Sequence, residues 1–546
     1  MTTRENEEMP STEASEAVHG SFVHDRFGRR EFLRRGAVLG AAVGLSGPAL
    51  VSLVSCGPSG GESSGKGGNL IIARTAESEG MEKTMVFDNE SIWIFLQMYE
   101  TLYTVAPDGK KVLPYLAESY ELSKDKKEYT FHLRKGVTFH NGKEMTSEDV
   151  KFSIDEALST KGGWEFIDAA IDSVEAPDPT TVIIKTKYKW APLLADIACF
   201  NNGIIPKDYA GKSKEEFYKA PIGTGPFKWD HWDKGKELKL VRYPDYWQKG
   251  KPSLNSATWT LVSDDSTRSV QVQGGQAHVD EFPPFSSIQK LKNSPGVVMK
   301  LFPSTRTDYM VLNHRVKPLD DVHVRRAISY AVDRKALIES VLFGYGEPAN
   351  SFMPPQVRYY DPDAPGLQFD PDKASQEMSR SSVPDGFNIE MTVEAGNDTQ
   401  TSTAQIIQQQ LKKIGIDVKL QQLDPSVAQT NLQEFKYEIG FSYWTMDIAD
   451  PDELVSFAVD PTSGSHSFFT DYKNEDVIKW THEAQEEFDA SKRAELYSKI
   501  QSQAAEDAFM VFLYYSDFTY LYSNKVKGFK VYPTGNYHLE EVTLEA

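Results

Sequence analysis

The sequence predicts an α/β protein with more than one core, and three observations carry that reading. At 546 residues the chain holds roughly three or four domains' worth of sequence, too much for one ordinary interior. Segments with the two-residue period of a strand and segments with the 3.6-residue period of a helix interleave along it. The clearest pair are neighbours: Ala404, Ile407, Leu411 and Ile414 make one apolar helix face, Gly415 stops it, and Ile416, Val418 and Leu420 then alternate as a strand.

The first 68 residues have a different character. A polar stretch to Asp25 precedes Gly28-Arg29-Arg30-Glu31-Phe32-Leu33-Arg34, whose twin arginine (Arg29, Arg30) stands before an uncharged run from Gly36 to Ser55. That run is weakly apolar and broken by Pro48, which suits an export signal better than a membrane span. It ends in Leu53-Val54-Ser55-Cys56, which resembles a bacterial lipobox with Cys56 as the lipidated residue; a single uncleaved anchor is the alternative. Residues 1–55 are therefore expected to be a twin-arginine lipoprotein signal, and residues 56–68, rich in Gly and Ser, a flexible tether. Within the tether Gly60–Gly67 nearly spells a phosphate-binding loop, but Gly67 stands where a Ser or Thr must meet magnesium and no strand precedes it.

Bulk properties exclude several classes. A net charge of −20 without a basic stripe argues against nucleic acid as a partner. Two cysteines, Cys56 and Cys199, cannot make a disulfide framework, and Cys199, flanked by apolar residues, reads as a buried free thiol. His140 has no second histidine at ligand spacing, so it reads as a structural group beside a turn; no metal and no cofactor is expected. Asp361-Pro362-Asp363 begins like a calcium loop, but Pro365 occupies a ligand position, leaving a turn. No catalytic signature of the His-Glu-x-x-His, Gly-x-Ser-x-Gly or Cys-x-x-Cys type occurs, so no enzyme is predicted.

In chain order, Asn69–Arg74 reads as a strand and Ser91–Leu102 as an amphipathic helix. Tyr129, Phe131 and Leu133 alternate after a Lys/Asp turn, and Asn141-Gly142 supplies tight-turn chemistry. Thr146-Ser147-Glu148-Asp149 opens a helix with a capping-box pattern. Asp321 and Asp333 are positioned as helix caps, Asn474–Asp507 reads as one long helix or two, and Phe509–Tyr515 as a strand.

Several of these segments together resemble the family 5 extracytoplasmic solute-binding proteins, which include the dipeptide- and oligopeptide-binding proteins of ABC importers. Leu116-Ala117-Glu118-Ser119, Phe131–Gly142 and Thr146–Val150 carry the likeness first. Gly223-Thr224-Gly225-Pro226-Phe227, Tyr243–Trp247, Gly274–Asp280, Asp320–Arg334 and Gly344–Pro348 follow in the family's order. The resemblance implies a two-lobed periplasmic-binding-protein fold (type II, cluster C-like) with an extra subdomain on lobe one. Carried onto this chain it puts lobe one at 69–97, 217–303 and 522–546, the extra subdomain at 98–216 and lobe two at 304–521, with hinge crossings near Pro303 and Leu521. It further implies a monomer that closes over a peptide or other small solute, delivers it to permease subunits, and works outside the cytoplasm on a lipid anchor. Oligosaccharides, nickel chelates, a sensing role and an extracytoplasmic hydrolase are the alternatives.

One stretch concentrates the chemistry. Trp444–Asp452 holds three carboxylates, an indole and a proline at the end of an apolar-aromatic run. By residue type alone it is either a solvated acidic turn with Asp450 capping the next helix, or a loop presenting a site from a rigid strand. In peptide-binding members of the family a Trp-x-x-Asp-x-x-Asp-Pro loop receives the ligand's ammonium, and Trp444, Asp447, Asp450 and Pro451 match it. The resemblance thus makes Asp447 the ammonium acceptor, with Trp444 and Tyr443 as walls of the cleft.

Overall fold

The structure is a computed structural model that describes residues 67–463 and 467–545. Arg29, Arg30 and Cys56 lie outside the described residues. Among the described residues no helix is long and apolar enough to cross a membrane.

Two large sheets organise the chain. In the first, Asn69–Arg74 runs centrally, parallel to Ser256–Leu261 on one side and Val279–Glu281 on the other. The hairpin Phe227–Asp233/Glu237–Arg242 extends one edge, while Phe518–Ser523 and then Val297–Phe302 complete seven strands at the other. The second sheet has six strands in the order Glu347–Pro348, Met510–Tyr515, Thr307–Leu312, Ile439–Trp444, Phe387–Glu394, Ile416–Leu423. All six side chains of Met510–Tyr515 are buried, as expected of a strand covered on both faces. The helix-to-strand unit predicted around Gly415 is the crossover of this sheet: the helix Asp398–Lys412 links Phe387–Glu394 to its parallel neighbour Ile416–Leu423. The turns at either end nearly touch, since a Cβ on Gly386 would lie 2.1 Å from the Gly415 carbonyl oxygen.

The chain crosses between the sheets twice. It leaves Val297–Phe302 and enters Thr307–Leu312 through Pro303–Arg306. It returns from Met510–Tyr515 to Phe518–Ser523 through Ser516 and Asp517, not near Leu521, because Leu521 already pairs with Asp280 and Met299 inside the seven-stranded sheet. The Ser304 hydroxyl donates to the Ser516 carbonyl and ties the crossings together.

A separate four-stranded antiparallel sheet, Ala117–Leu122, Glu128–Leu133, Thr181–Thr186 and Ile171–Asp178, has its own core with Phe131, Val150, Ile154 and Ile184. The helix Ser147–Ser159 covers it, opened by the expected capping box between Thr146 and Asp149. The turn Gly223–Pro226 lies against the end of the helix Asn89–Met98, and a Cβ on Gly223 would stand 2.0 Å from the Met98 carbonyl oxygen, so only glycine fits. His140 fastens that turn: its Nδ1 accepts from the Gly223 N–H at 3.2 Å and its Nε2 lies 3.0 Å from the Gly225 carbonyl.

Candidate functional site between the lobes

The strand Ile439–Trp444 ends at the loop 445–451, and the helix Asp452–Val459 begins immediately after. Pro451 rather than Asp450 takes the N-cap position of that helix. Asp450 instead accepts from the Asp452 N–H at 3.1 Å and forms a buried, two-pronged ion pair with Arg493, at 2.7 and 2.9 Å. From the hinge, the Thr305 hydroxyl accepts the Met446 N–H at 3.0 Å and donates to the Pro533 carbonyl at 3.0 Å. Met446, Ile448 and Ala449 are buried by these attachments, and Asp447 is the loop residue that reaches the space between the lobes.

That space is a narrow, partly open gap lined from both lobes. Asp447 lines it from the six-stranded lobe, and Phe95, Tyr99, Glu100, Phe200 and Tyr532 do so from the other. No Lys or Arg lines it among the described residues. Buried Glu100 and half-buried Asp447 therefore meet the cavity without a lining cation. Burial pushes Asp447 up to about 7, and the side chain of Glu453 opposes that rise. Burial likewise raises Glu100 to about 7, against hydrogen bonds that include the Tyr246 hydroxyl at 2.7 Å and the Trp247 indole N–H at 2.9 Å. Glu453, in the first turn of the helix after the loop, is driven well above the usual carboxyl range by burial and then by Asp447.

Of the three ligand contacts expected from sequence, the structure brings only Asp447 to this cavity. Trp444 packs inward against Phe457 and Phe468, with ring centroids at 4.5 and 5.5 Å, and its buried indole N–H has no acceptor among the described residues. Tyr443, on the alternate face of the strand, is 51% exposed and lies beneath the Arg306 guanidinium at 3.9 Å. Neither side chain lines this cavity, because successive strand residues face opposite ways and the cavity opens beyond the strand's end. Glu100 and Glu453 were not singled out from sequence. Glu453 had a local signal, six residues after Asp447 at a helix start, but Glu100 meets the cavity only through the fold.

The other sequence candidates fall where their residue types suggest. Cys199 is a buried free thiol whose ionisation is pushed up first by burial and then by Asp447 and Glu453. His140 is held neutral, with burial lowering it to about 4. Asp361 makes a turn, accepting from the Asp363 N–H at 2.9 Å. His231, Asp233 and Glu237 place ligand-type atoms within 4.8 Å of one another on a surface hairpin, but the Lys236 ammonium lies 3.4 Å from both carboxylates and already answers their charge.

Two α/β lobes joined by paired crossings, with a partly open cavity between them and a half-buried acid aimed into it, are the architecture of a solute-binding protein. The chain belongs to the bacterial extracellular solute-binding proteins, family 5, whose model matches residues 111–466. It is 29% identical over 480 residues to the dipeptide-binding protein of Escherichia coli, covering 82% of this chain and 89% of that protein. It is also 29% identical over 467 residues to heme-binding protein A of Haemophilus influenzae, covering 80% and 85% respectively. Among solved structures, the ABC transporter-associated binding protein DppA of Helicobacter pylori, in complex with the peptide STSA, superposes with a TM-score of 0.77 at 28% identity, covering 88% of this chain and 98% of that one. Proteins of this family bind peptides and related solutes outside the cytoplasm for ABC transporters.

Proposed function

We propose that this protein is the peptide receptor of an ABC importer and that Asp447 receives the ligand's free ammonium. The observation that carries the reading is a half-buried carboxylate facing an interlobe cavity that no Lys or Arg lines among the described residues. A buried charge persists only when paired and hydrogen-bonded, and a ligand cation would supply that pair. One charge-assisted hydrogen bond of this kind is worth about 1.5–3 kcal/mol, or roughly ten- to hundredfold in affinity. Contact with both lobes would favour the closed state through the crossings at Pro303–Arg306 and Ser516-Asp517. The likeness to a dipeptide-binding relative and to a peptide-bound structure supports peptides as the ligand class. The twin-arginine signal and Cys56 support export and lipid anchoring, which radiolabelled-palmitate incorporation with a Cys56→Ser control would test. For the ligand, Asp447→Asn should weaken calorimetric binding of free-amino peptides by at least about tenfold; equal affinity would remove the assignment. Mass spectrometry of solutes that copurify with the protein would identify the ligand directly.

A further inference from the structure

Glu453 sits in an arrangement that an ionised carboxylate does not satisfy. Its Oε2 accepts two backbone N–H groups of the loop, Asp447 at 2.9 Å and Ile448 at 3.0 Å. Its Oε1 is buried and meets no donor among the described residues, and the Glu453 side chain interacts with the Asp447 carboxyl. Two carboxylates in contact away from water repel, and a buried acceptor without a donor is costly. One proton placed between them removes both problems.

We propose that Glu453 is held as a neutral acid whose Oε1–H donates to Asp447, so that the pair carries one negative charge, placed on the side chain that faces the cavity. Glu453 is then a positioning residue. Through Oε2 it shapes the loop backbone, and through Oε1–H it orients the Asp447 carboxylate and leaves that group's free oxygen for a ligand cation. The proton stays on Glu453 when a cation binds, because the cation favours the ionised form of Asp447. The other titratable groups around the pair do not compete for this role. Cys199 faces it from the opposite lobe as a neutral thiol. Glu100 and His538 meet the same cavity. Behind the loop, Asp450 is paired with Arg493, and Asp452 accepts from the Ser456 hydroxyl at 3.1 Å.

The role of Asp447 as cation acceptor rests on the function proposed above, whereas the protonation of Glu453 does not, and the experiment separates them. In infrared spectra of the unliganded protein near pH 8, Glu453→Gln should remove one protonated-carboxyl band present in the wild type. A spectrum that keeps the band, or a wild type without it, overturns the proposal. In calorimetry with the dipeptide Ala-Phe, Glu453→Gln should retain affinity within about threefold, since its amide offers an N–H to Asp447 and a carbonyl oxygen to the two backbone groups. Glu453→Ala should lose about tenfold or more. Equal losses in the two variants would overturn the positioning role. Full affinity in Asp447→Asn, or no binding of Ala-Phe by the wild type, would remove the peptide reading, and the infrared band would then decide the state of Glu453 by itself.

Discussion

Asp447 and His140 illustrate how burial sets the charge of a side chain here. Both are partly shielded from water, and in both the first cause of the shift is desolvation, which raises the acid to about 7 and lowers the base to about 4. The histidine spends its neutral ring on the Gly223–Gly225 turn, so it has a structural occupation. The aspartate has only another acid beside it and a cavity in front. Removing its charge should therefore cost the fold nothing: Asp447→Asn, unliganded near pH 8, is expected to unfold at the same temperature as the wild type or higher. A lowered midpoint in scanning calorimetry would mean that the carboxylate has a structural partner besides Glu453.

The loop is held from behind by helices that come much later in the chain. The stretch 474–507 forms two helices, Glu475–Glu486 and Ala490–Glu506, each capped by its own side chain, Asn474 and Asp489. Arg493 in the second donates to Asp450, to the Ala484 carbonyl at 2.8 Å and to the Tyr497 hydroxyl at 3.1 Å, so one guanidinium joins the loop 445–451 to both helices. Arg493→Met would leave Asp450 buried without its cation. The expected cost is about 3–5 kcal/mol, measurable by urea unfolding. A change below about 1 kcal/mol would show that water reaches Asp450. The hinge side is held more lightly. Thr305→Val keeps the shape but strands the Met446 N–H, at about 1–3 kcal/mol. Since that N–H belongs to the residue before Asp447, ligand affinity should fall with stability; unchanged affinity would show the loop to be fixed without the Thr305 contact.

Across the molecule, several buried acids share the elevated range, with Asp168 and Asp452 at about 7 and Glu281 at about 8. Their folded values lie above those of an unfolded chain, so the native state binds more protons and gains stability as pH falls through this window. Half-buried His140 and His314 act in the opposite sense, their folded values near 4 and 3 lying below the unfolded one, so they withdraw stability as pH falls below about 6.5. The two effects separate on the pH axis. Between about pH 8.5 and 7 the thermal midpoint of the unliganded protein should rise. A midpoint that falls over that interval would show these carboxyls to be hydrated.

Interactions between near neighbours in the chain were readable from the sequence. The capping box at Thr146, the caps at Asp321 and Asp333, the strand after Gly415 and the end of the strand before Pro451 all depend on groups a few residues apart, and all stand as read. The ordered motifs added the family and the two-lobed fold. The tertiary structure decided what depends on distant segments: the return crossing at Ser516-Asp517, the inward packing of Trp444, the Asp450–Arg493 pair and the convergence of Glu100 with Asp447 on one cavity. A carboxyl group's charge depends on how much water remains around it, and that is set by segments hundreds of residues apart closing over it. Composition can place an acid in a loop, but only packing makes it a site.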